Sequence, residues 1–215
     1  SQPKLITITQ CTELGTVYNL EEIRQLAQFA HDNHMYLHMD GARIANAVAA
    51  LGLSPEDGLS AMTKDAGVDV LSFGGTKNGM AFGEAVVFLN GELGRDFKYI
   101  RKQGMQLASK MRFISTQFSA LLKDGLWYDN AAHANAMAAL LADTVQGLGV
   151  ELTRPVASNA VFARLDPEVT RALQQKYFFY VWNPEAHEVR WMTSFDTTKE
   201  DVAGFADALK GLLKA

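Results

Sequence analysis

Leu37-His38-Met39-Asp40-Gly41-Ala42-Arg43-Ile44-Ala45-Asn46-Ala47 reads as a strand that ends on a carboxylate and turns at once into a helix. The strand covers about 35–40 and the helix about 42–51, and a strand feeding directly into a helix is the unit from which parallel sheets are built. Downstream, an apolar strand at 68–73 runs into Gly74-Gly75-Thr76-Lys77-Asn78-Gly79. Asp40 and Lys77 therefore stand at the carboxyl ends of two predicted strands, where open α/β sheets place their ligands. Taken singly, neither residue says much. An aspartate at a strand end is commonly a turn former or helix cap, and a lysine among glycines is commonly a solvated loop residue. The combination of an acid and an amine in this order is what points to chemistry.

Working outward, the first half keeps the same alternation. A strand at 4–9 precedes Asn19-Leu20-Glu21-Glu22, an N-cap with an acid three residues on, which opens a helix carrying Leu20, Ile23, Leu26, Ala27 and Ala30 on one face. Ser54-Pro55-Glu56-Asp57 combines a cap, a first-turn proline and acids near the positive end of the dipole, and predicts a third helix. The strand at 84–89 is reached through Gly79-Met80-Ala81-Phe82-Gly83, a link too short for a crossover helix, so antiparallel pairing is expected. From 91 to about 147 the period is helical, with Leu107, Met111, Ile114, Phe118, Leu121 and Leu122 in step around a helix at 108–122 and an alanine-rich run at 131–142. Strands near 151–153, 159–165, 177–182 and 189–193 then interleave with helices near 167–175 and 199–214. The expected fold is α/β, a mostly parallel sheet over residues 1–124 followed by a small α+β domain over 125–215.

With 215 residues, 48% of them hydrophobic, the chain can bury a substantial core. A net charge of -4 without a lysine- or arginine-rich run argues against nucleic acid or an anionic membrane as partner, and toward a small molecule. The single cysteine, Cys11, excludes an intrachain disulfide, argues against a cysteine-based zinc site and fits a reducing, cytoplasmic compartment; it reads as a buried small hydrophobe. No stretch approaches the roughly 18 apolar residues of a membrane span. The start Ser1-Gln2-Pro3-Lys4 lacks the pattern of a signal peptide, and a strand with no lead-in implies a chain that begins inside a domain. There is no Gly-x-Ser-x-Gly elbow, no Walker loop and no Gly-x-Gly-x-x-Gly after a strand, and the five histidines show no metalloprotease spacing, so no metal is expected.

Four segments carry a family resemblance: Thr12-Glu13-Leu14-Gly15-Thr16-Val17-Tyr18, the run from Leu37 to Ala47, Ser72-Phe73-Gly74-Gly75-Thr76-Lys77, and Val189-Arg190-Trp191-Met192-Thr193. In order and spacing they resemble the low-specificity threonine aldolases, in the aspartate-aminotransferase-like group of pyridoxal-phosphate enzymes, over most of the chain. The Asp-Gly-Ala-Arg segment is the most specific piece. The resemblance implies that residues 1–124 are the second part of a large domain binding pyridoxal 5'-phosphate. It implies cleavage of a 3-hydroxy amino acid of the threonine, allo-threonine or phenylserine type to glycine and an aldehyde. A homo-oligomer, dimeric or tetrameric, is implied as well.

The same resemblance distributes roles. Lys77 would bond to the aldehyde of the cofactor, for which its amine must be neutral, and Thr76 would lie at the cofactor phosphate or nearby. Asp40 would keep the ring nitrogen protonated, so that electrons released at the substrate Cα flow into the ring. His38 shares a strand face with Asp40 and is expected to hydrogen-bond it from behind, the alternative being a satisfied core histidine. Arg43 falls near the phenolic oxygen of the cofactor or the substrate carboxylate. Arg190 matches the family arginine whose planar fork grips the α-carboxylate, the alternative being a surface arginine on an edge strand. Glu13 stands where family members often carry a histidine; it would take the proton of the substrate hydroxyl, directly or through a water, or be a turn glutamate with no catalytic part. Met111-Arg112 lacks the glycine-rich turn that precedes such a pair in the family, and Arg112 is carried over only weakly. The ring-stacking histidine and the phosphate-cradling turn belong upstream of Ser1, which makes an N-terminal segment of the same protein an expected partner. Competing readings are another pyridoxal-phosphate lyase or aminotransferase, and a non-catalytic fragment lacking its N-terminal active-site half.

Overall fold

The computed structural model describes residues 2–214; Ser1 and Ala215 lie outside them. β1 (Leu5–Thr9), β2 (Tyr36–Gly41), β3 (Val70–Gly74) and β4 (Glu84–Phe88) pair in the order β1-β2-β3-β4. The first three are parallel, with Thr9 and Ser72 in register on either side of Asp40, and β4 runs antiparallel with Glu84 opposite Gly74. Parallel neighbours need crossovers, and these are α1 (Leu20–Asp32) between β1 and β2, then α2 (Ile44–Ala50) and α3 (Gly58–Met62) between β2 and β3. The mostly parallel sheet and its one reversal at β4 match the expectation.

α1 opens with the capping box that its sequence announces. Asn19 Oδ1 accepts the Glu22 N–H at 2.9 Å and the Glu22 carboxylate accepts the Asn19 N–H at 2.7 Å, a reciprocal cap worth about 1 kcal/mol. Ile23, Ala27 and Ala30 are buried on its inner face. The third helix differs from expectation. Ser54 accepts the Asp57 N–H through its hydroxyl at 3.1 Å, but this ties only a turn, and α3 itself starts at Gly58, where a Cβ would stand 2.5 Å from Val48 Cγ1. The Ser54 carbonyl accepts the Gly58 N–H at 2.8 Å, so residues 54–57 form the turn that leads into α3, where Gly58 packs closely on α2.

α4 (Phe97–Gln103), α5 (Arg112–Leu122) and α6 (Leu126–Gln146) follow. α5 begins later than the period suggests because Lys110 takes φ 61, a left-handed conformation that ends helical continuity, and Leu107 is left 43% exposed outside the helix. The chain forms two compact units, one running as far as Asp129 and one made of Leu14–Thr16 together with the residues from Asn130 onward. In the second unit, β5 (Glu151–Leu152), β6 (Ala160–Arg164), β7 (Tyr180–Asn183) and β8 (Glu188–Met192) make an antiparallel sheet in the order β5-β6-β8-β7, with α7 (Pro167–Gln174) and α8 (Lys199–Leu213). Val161, Ala163, Val189 and Trp191 turn inward against Leu173 and Leu209. The strand expected at 177–182 starts only at Tyr180, since Phe179 drops into this core against Trp191 and Phe205 while Gln174 holds the Phe179 carbonyl at 2.9 Å. Among the described residues no helix is long and apolar enough to cross a membrane.

Candidate active site

β2 sorts its side chains by the strand period. Leu37 and Met39 are fully buried on one face, while His38 and Asp40 are half-buried on the other. Asp40 is the penultimate residue of β2, level with the last residue of β1, and its carbonyl accepts the Gln10 N–H at 2.8 Å. Its carboxylate is held by one oxygen only: Oδ1 accepts the Ala42 N–H at 3.0 Å, and Oδ2 has no hydrogen-bond partner among the described residues. A charged acceptor fixed by one oxygen and open at the other suits a positively charged N–H.

His38 departs from the expected arrangement. Its Nε2 pairs with Ser72 Oγ on β3 at 2.9 Å, and no hydrogen bond joins it to Asp40. Burial lowers the imidazole pKa from its ordinary value, and the nearby Asp40 charge opposes this without cancelling it. The lowered pKa favours the neutral ring at pH 7, and its bond to Ser72 ties β2 to β3 two residues before Asp40. Cys11 is buried, as expected, with its Sγ 3.7 Å from the Arg43 carbonyl oxygen. Arg43 stands half-buried at the entry to α2.

At the end of β3 the backbone closes on this segment. A Cβ on Gly74 would stand 2.5 Å from the Ala42 carbonyl oxygen and 2.6 Å from its Cα, so only glycine permits the approach. The strand end carrying Lys77 and the one carrying Asp40 are therefore in backbone contact. Lys77 lies in a single 3-10 turn, Thr76–Asn78, and is exposed, with no partner for its amine among the described residues. Its neighbours are all committed. The Thr76 hydroxyl accepts the Gly83 N–H at 3.0 Å and donates to the Gly83 carbonyl at 3.4 Å, and the Asn78 side chain donates to the Trp127 carbonyl at 2.9 Å.

Glu13 is exposed in the turn after β1. In the second unit, Arg190 projects from the β8 face opposite Val189 and Trp191, its guanidinium 4.3 Å from the centre of the Trp182 ring and 5.6 Å from that of Tyr180. Its Nε is buried with no hydrogen-bond partner among the described residues. An orphaned guanidinium N–H braced by aromatic rings is a donor waiting for an acceptor. On the same face Glu188 is buried; burial alone would raise its pKa, but hydrogen bonds from Thr153 and Arg154 and the charges of Arg154 and Arg164 outweigh that and lower it.

Ser72, Trp182 and Glu84 are the neighbours that strand-by-strand reading missed. Each depends on how neighbouring strands are staggered, which no single segment of the sequence reveals. No group of three or more His, Cys, Asp and Glu side chains that could hold a metal ion occurs among the described residues.

Comparison with known proteins extends this geometry. Residues 1–168 match the family model of the beta-eliminating lyases. The chain is 43% identical over 215 residues to a low specificity L-threonine aldolase of a Pseudomonas species (strain NCIMB 10558), and 44% identical over 216 residues to one from Pseudomonas aeruginosa; all of the chain and 61% of each relative are covered. Among solved structures, a threonine aldolase of Leishmania major superposes with a TM-score of 0.88 at 31% identity, over 98% of this chain and 61% of that one. The chain thus spans about three-fifths of the length of the relatives it matches.

Proposed function

Because the chain belongs to the beta-eliminating lyase family, we propose that the protein is a pyridoxal-phosphate-dependent aldolase that cleaves a 3-hydroxy amino acid to glycine and an aldehyde. The observation that carries the reading is the Gly74–Ala42 backbone contact, which holds an exposed, unpaired lysine and a half-open carboxylate on adjoining strand ends. These residues fit the cofactor. Lys77 offers the amine for its aldehyde, Oδ2 of Asp40 offers an acceptor for a protonated ring nitrogen, and Thr76 and Arg43 lie in the two segments that would border it. Bound there, the cofactor supplies an electron sink for the pair released at the substrate Cα.

The protein groups do the rest. Ala42 fixes the Asp40 carboxylate through Oδ1, and the neutral His38 behind it adds no competing charge. The family resemblance assigns the substrate α-carboxylate to Arg190, whose buried Nε has no acceptor among the described residues. Breaking Cα–Cβ requires loss of the hydroxyl proton, and the exposed carboxylate of Glu13 is the group we assign to accept it. The family resemblance implies a homo-oligomer, and the single cysteine fits a cytoplasmic enzyme.

The test is to add pyridoxal phosphate to the purified full-length protein, record the visible spectrum, reduce with borohydride and map the adduct by mass spectrometry. An adduct on Lys77, lost in Lys77→Ala, is expected. Glycine and an aldehyde should then form from a 3-hydroxy amino acid in equal amounts. An adduct elsewhere, a visible band surviving Lys77→Ala, or an amino acid consumed with a keto acid and no aldehyde would overturn the proposal.

A further inference from the structure

We propose that Glu84 is a positioning residue for Lys77, acting through the backbone of the turn that carries it; this rests on Lys77 being the cofactor lysine. A short 3-10 turn leaves its first amides without partners inside the turn. Here those amides converge on one side chain. The Gly75 N–H donates to Glu84 Oε2 at 3.2 Å and the Thr76 N–H donates to Oε1 at 3.4 Å, so both carboxylate oxygens are spent on the two residues that precede Lys77.

The strand register makes this possible. Glu84 pairs with Gly74 across β3 and β4, which puts the carboxylate at the neck of the loop 75–83. That neck is closed a second time by the Thr76 hydroxyl, which exchanges hydrogen bonds with the Gly83 backbone, and by Gly75, where a Cβ would stand 2.8 Å from the Gly83 carbonyl oxygen. Further along, α5 joins in, as Gln117 Oε1 accepts the Ala81 N–H at 2.9 Å. Every tie ends on the residues around Lys77 and none on its side chain. At 3.2 and 3.4 Å the two contacts are long, but a carboxylate that spans consecutive amides still restrains the turn they open. Because Glu84 is itself exposed, its removal leaves the sheet intact and frees chiefly the stance of the lysine.

The consequence is a role that activity alone would not isolate. Releasing two amides lets the Lys77 Cα drift, and a misplacement of about 1 Å at a reacting group costs on the order of a hundredfold. Glu84→Gln keeps the shape but has one acceptor oxygen where two N–H groups point, so its effect should fall between wild type and Glu84→Ala.

Wild type, Glu84→Gln and Glu84→Ala of the full-length protein would be compared by pyridoxal-phosphate titration, by the rate of borohydride-trapped adduct at Lys77, and by hydrogen exchange of the Gly75 and Thr76 amides. In Glu84→Ala we expect faster exchange at those two amides, cofactor affinity down by roughly tenfold or more, slower adduct formation, and kcat reduced with little change in KM for the amino acid. The glutamine variant should be intermediate. Unchanged exchange, affinity and adduct rate in both variants, with a normal wild-type adduct at Lys77, would overturn the role of Glu84 while leaving the aldolase reading intact. No adduct at Lys77 in wild type would overturn both. If Glu84→Ala does not fold, the glutamine variant decides: wild-type values there refute the clamp.

Discussion

Gly74→Ala tests the contact on which the site is built. The added Cβ would meet the Ala42 carbonyl oxygen at 2.5 Å, its Cα at 2.6 Å and its carbonyl carbon at 2.7 Å, where ordinary contact begins at 3.4 Å. All three are backbone atoms, so no rotamer change relieves the overlap and the two strand ends must part by about 1 Å. Overpacking of this kind costs about 1–3 kcal/mol, and at roughly 2–4 °C per kcal/mol for a chain of this size the Tm should fall by several degrees. The functional effect should be larger than the thermal one. A 1 Å shift between the segment of Asp40 and that of Lys77 predicts a loss of cofactor affinity and turnover on the order of a hundredfold. Differential scanning fluorimetry and pyridoxal-phosphate titration measure the two effects separately. Gly91→Ala is the control, because no atom lies within 4 Å of its added Cβ. A Gly74→Ala protein that melts lower yet binds cofactor like wild type would refute the claim that this contact sets the site, and unchanged Tm as well would refute the overlap itself.

Trp182→Leu removes the ring 4.3 Å from the Arg190 guanidinium; with such contacts worth about 0.5–2 kcal/mol, KM for the amino acid should rise roughly twofold to thirtyfold in steady-state kinetics while cofactor binding holds. Arg154→Ala removes the 2.6 Å ion pair of the buried Glu188 carboxylate but leaves its Thr153 hydrogen bond and the Arg164 charge, and urea unfolding should register a loss of about 1–3 kcal/mol. The depressed Glu188 pKa contributes stability that is complete above the ordinary carboxylate value and lost as pH falls through the lowered one, so the acid limb of the wild-type stability curve should flatten in Arg154→Ala. His38 also has a folded pKa below its unfolded value of 6.5. Its contribution is therefore complete above pH 6.5 and lost as pH falls from there through the lower folded value, and a His38→Asn protein should show a shallower Tm decline across that window.

The parts of this molecule that follow from a local period were legible in its sequence, and the parts that depend on register were not. β2 and β3, the capping box of α1 and the reversal at β4 each announce themselves within a dozen residues or so, and Asp40 and Lys77 could be singled out because each carries its chemistry in its own segment. His38 could not be assigned its partner the same way. Its strand face is readable, but whether the ring meets Asp40 on its own strand or Ser72 on the next depends on the stagger of β2 against β3, where His38 pairs with Val70 and Asp40 with Ser72. Glu84 is the sharpest case. Read locally it is an acid opening an edge strand, the commonest place for a solvated charge. Its pairing with Gly74 turns the same carboxylate onto the two amides before Lys77. Residue type thus points to candidate chemistry in single segments, whereas the contacts that would aim it follow from register, and the clamp proposed for Glu84 makes the stance of Lys77 a matter of strand pairing as well as of its own segment.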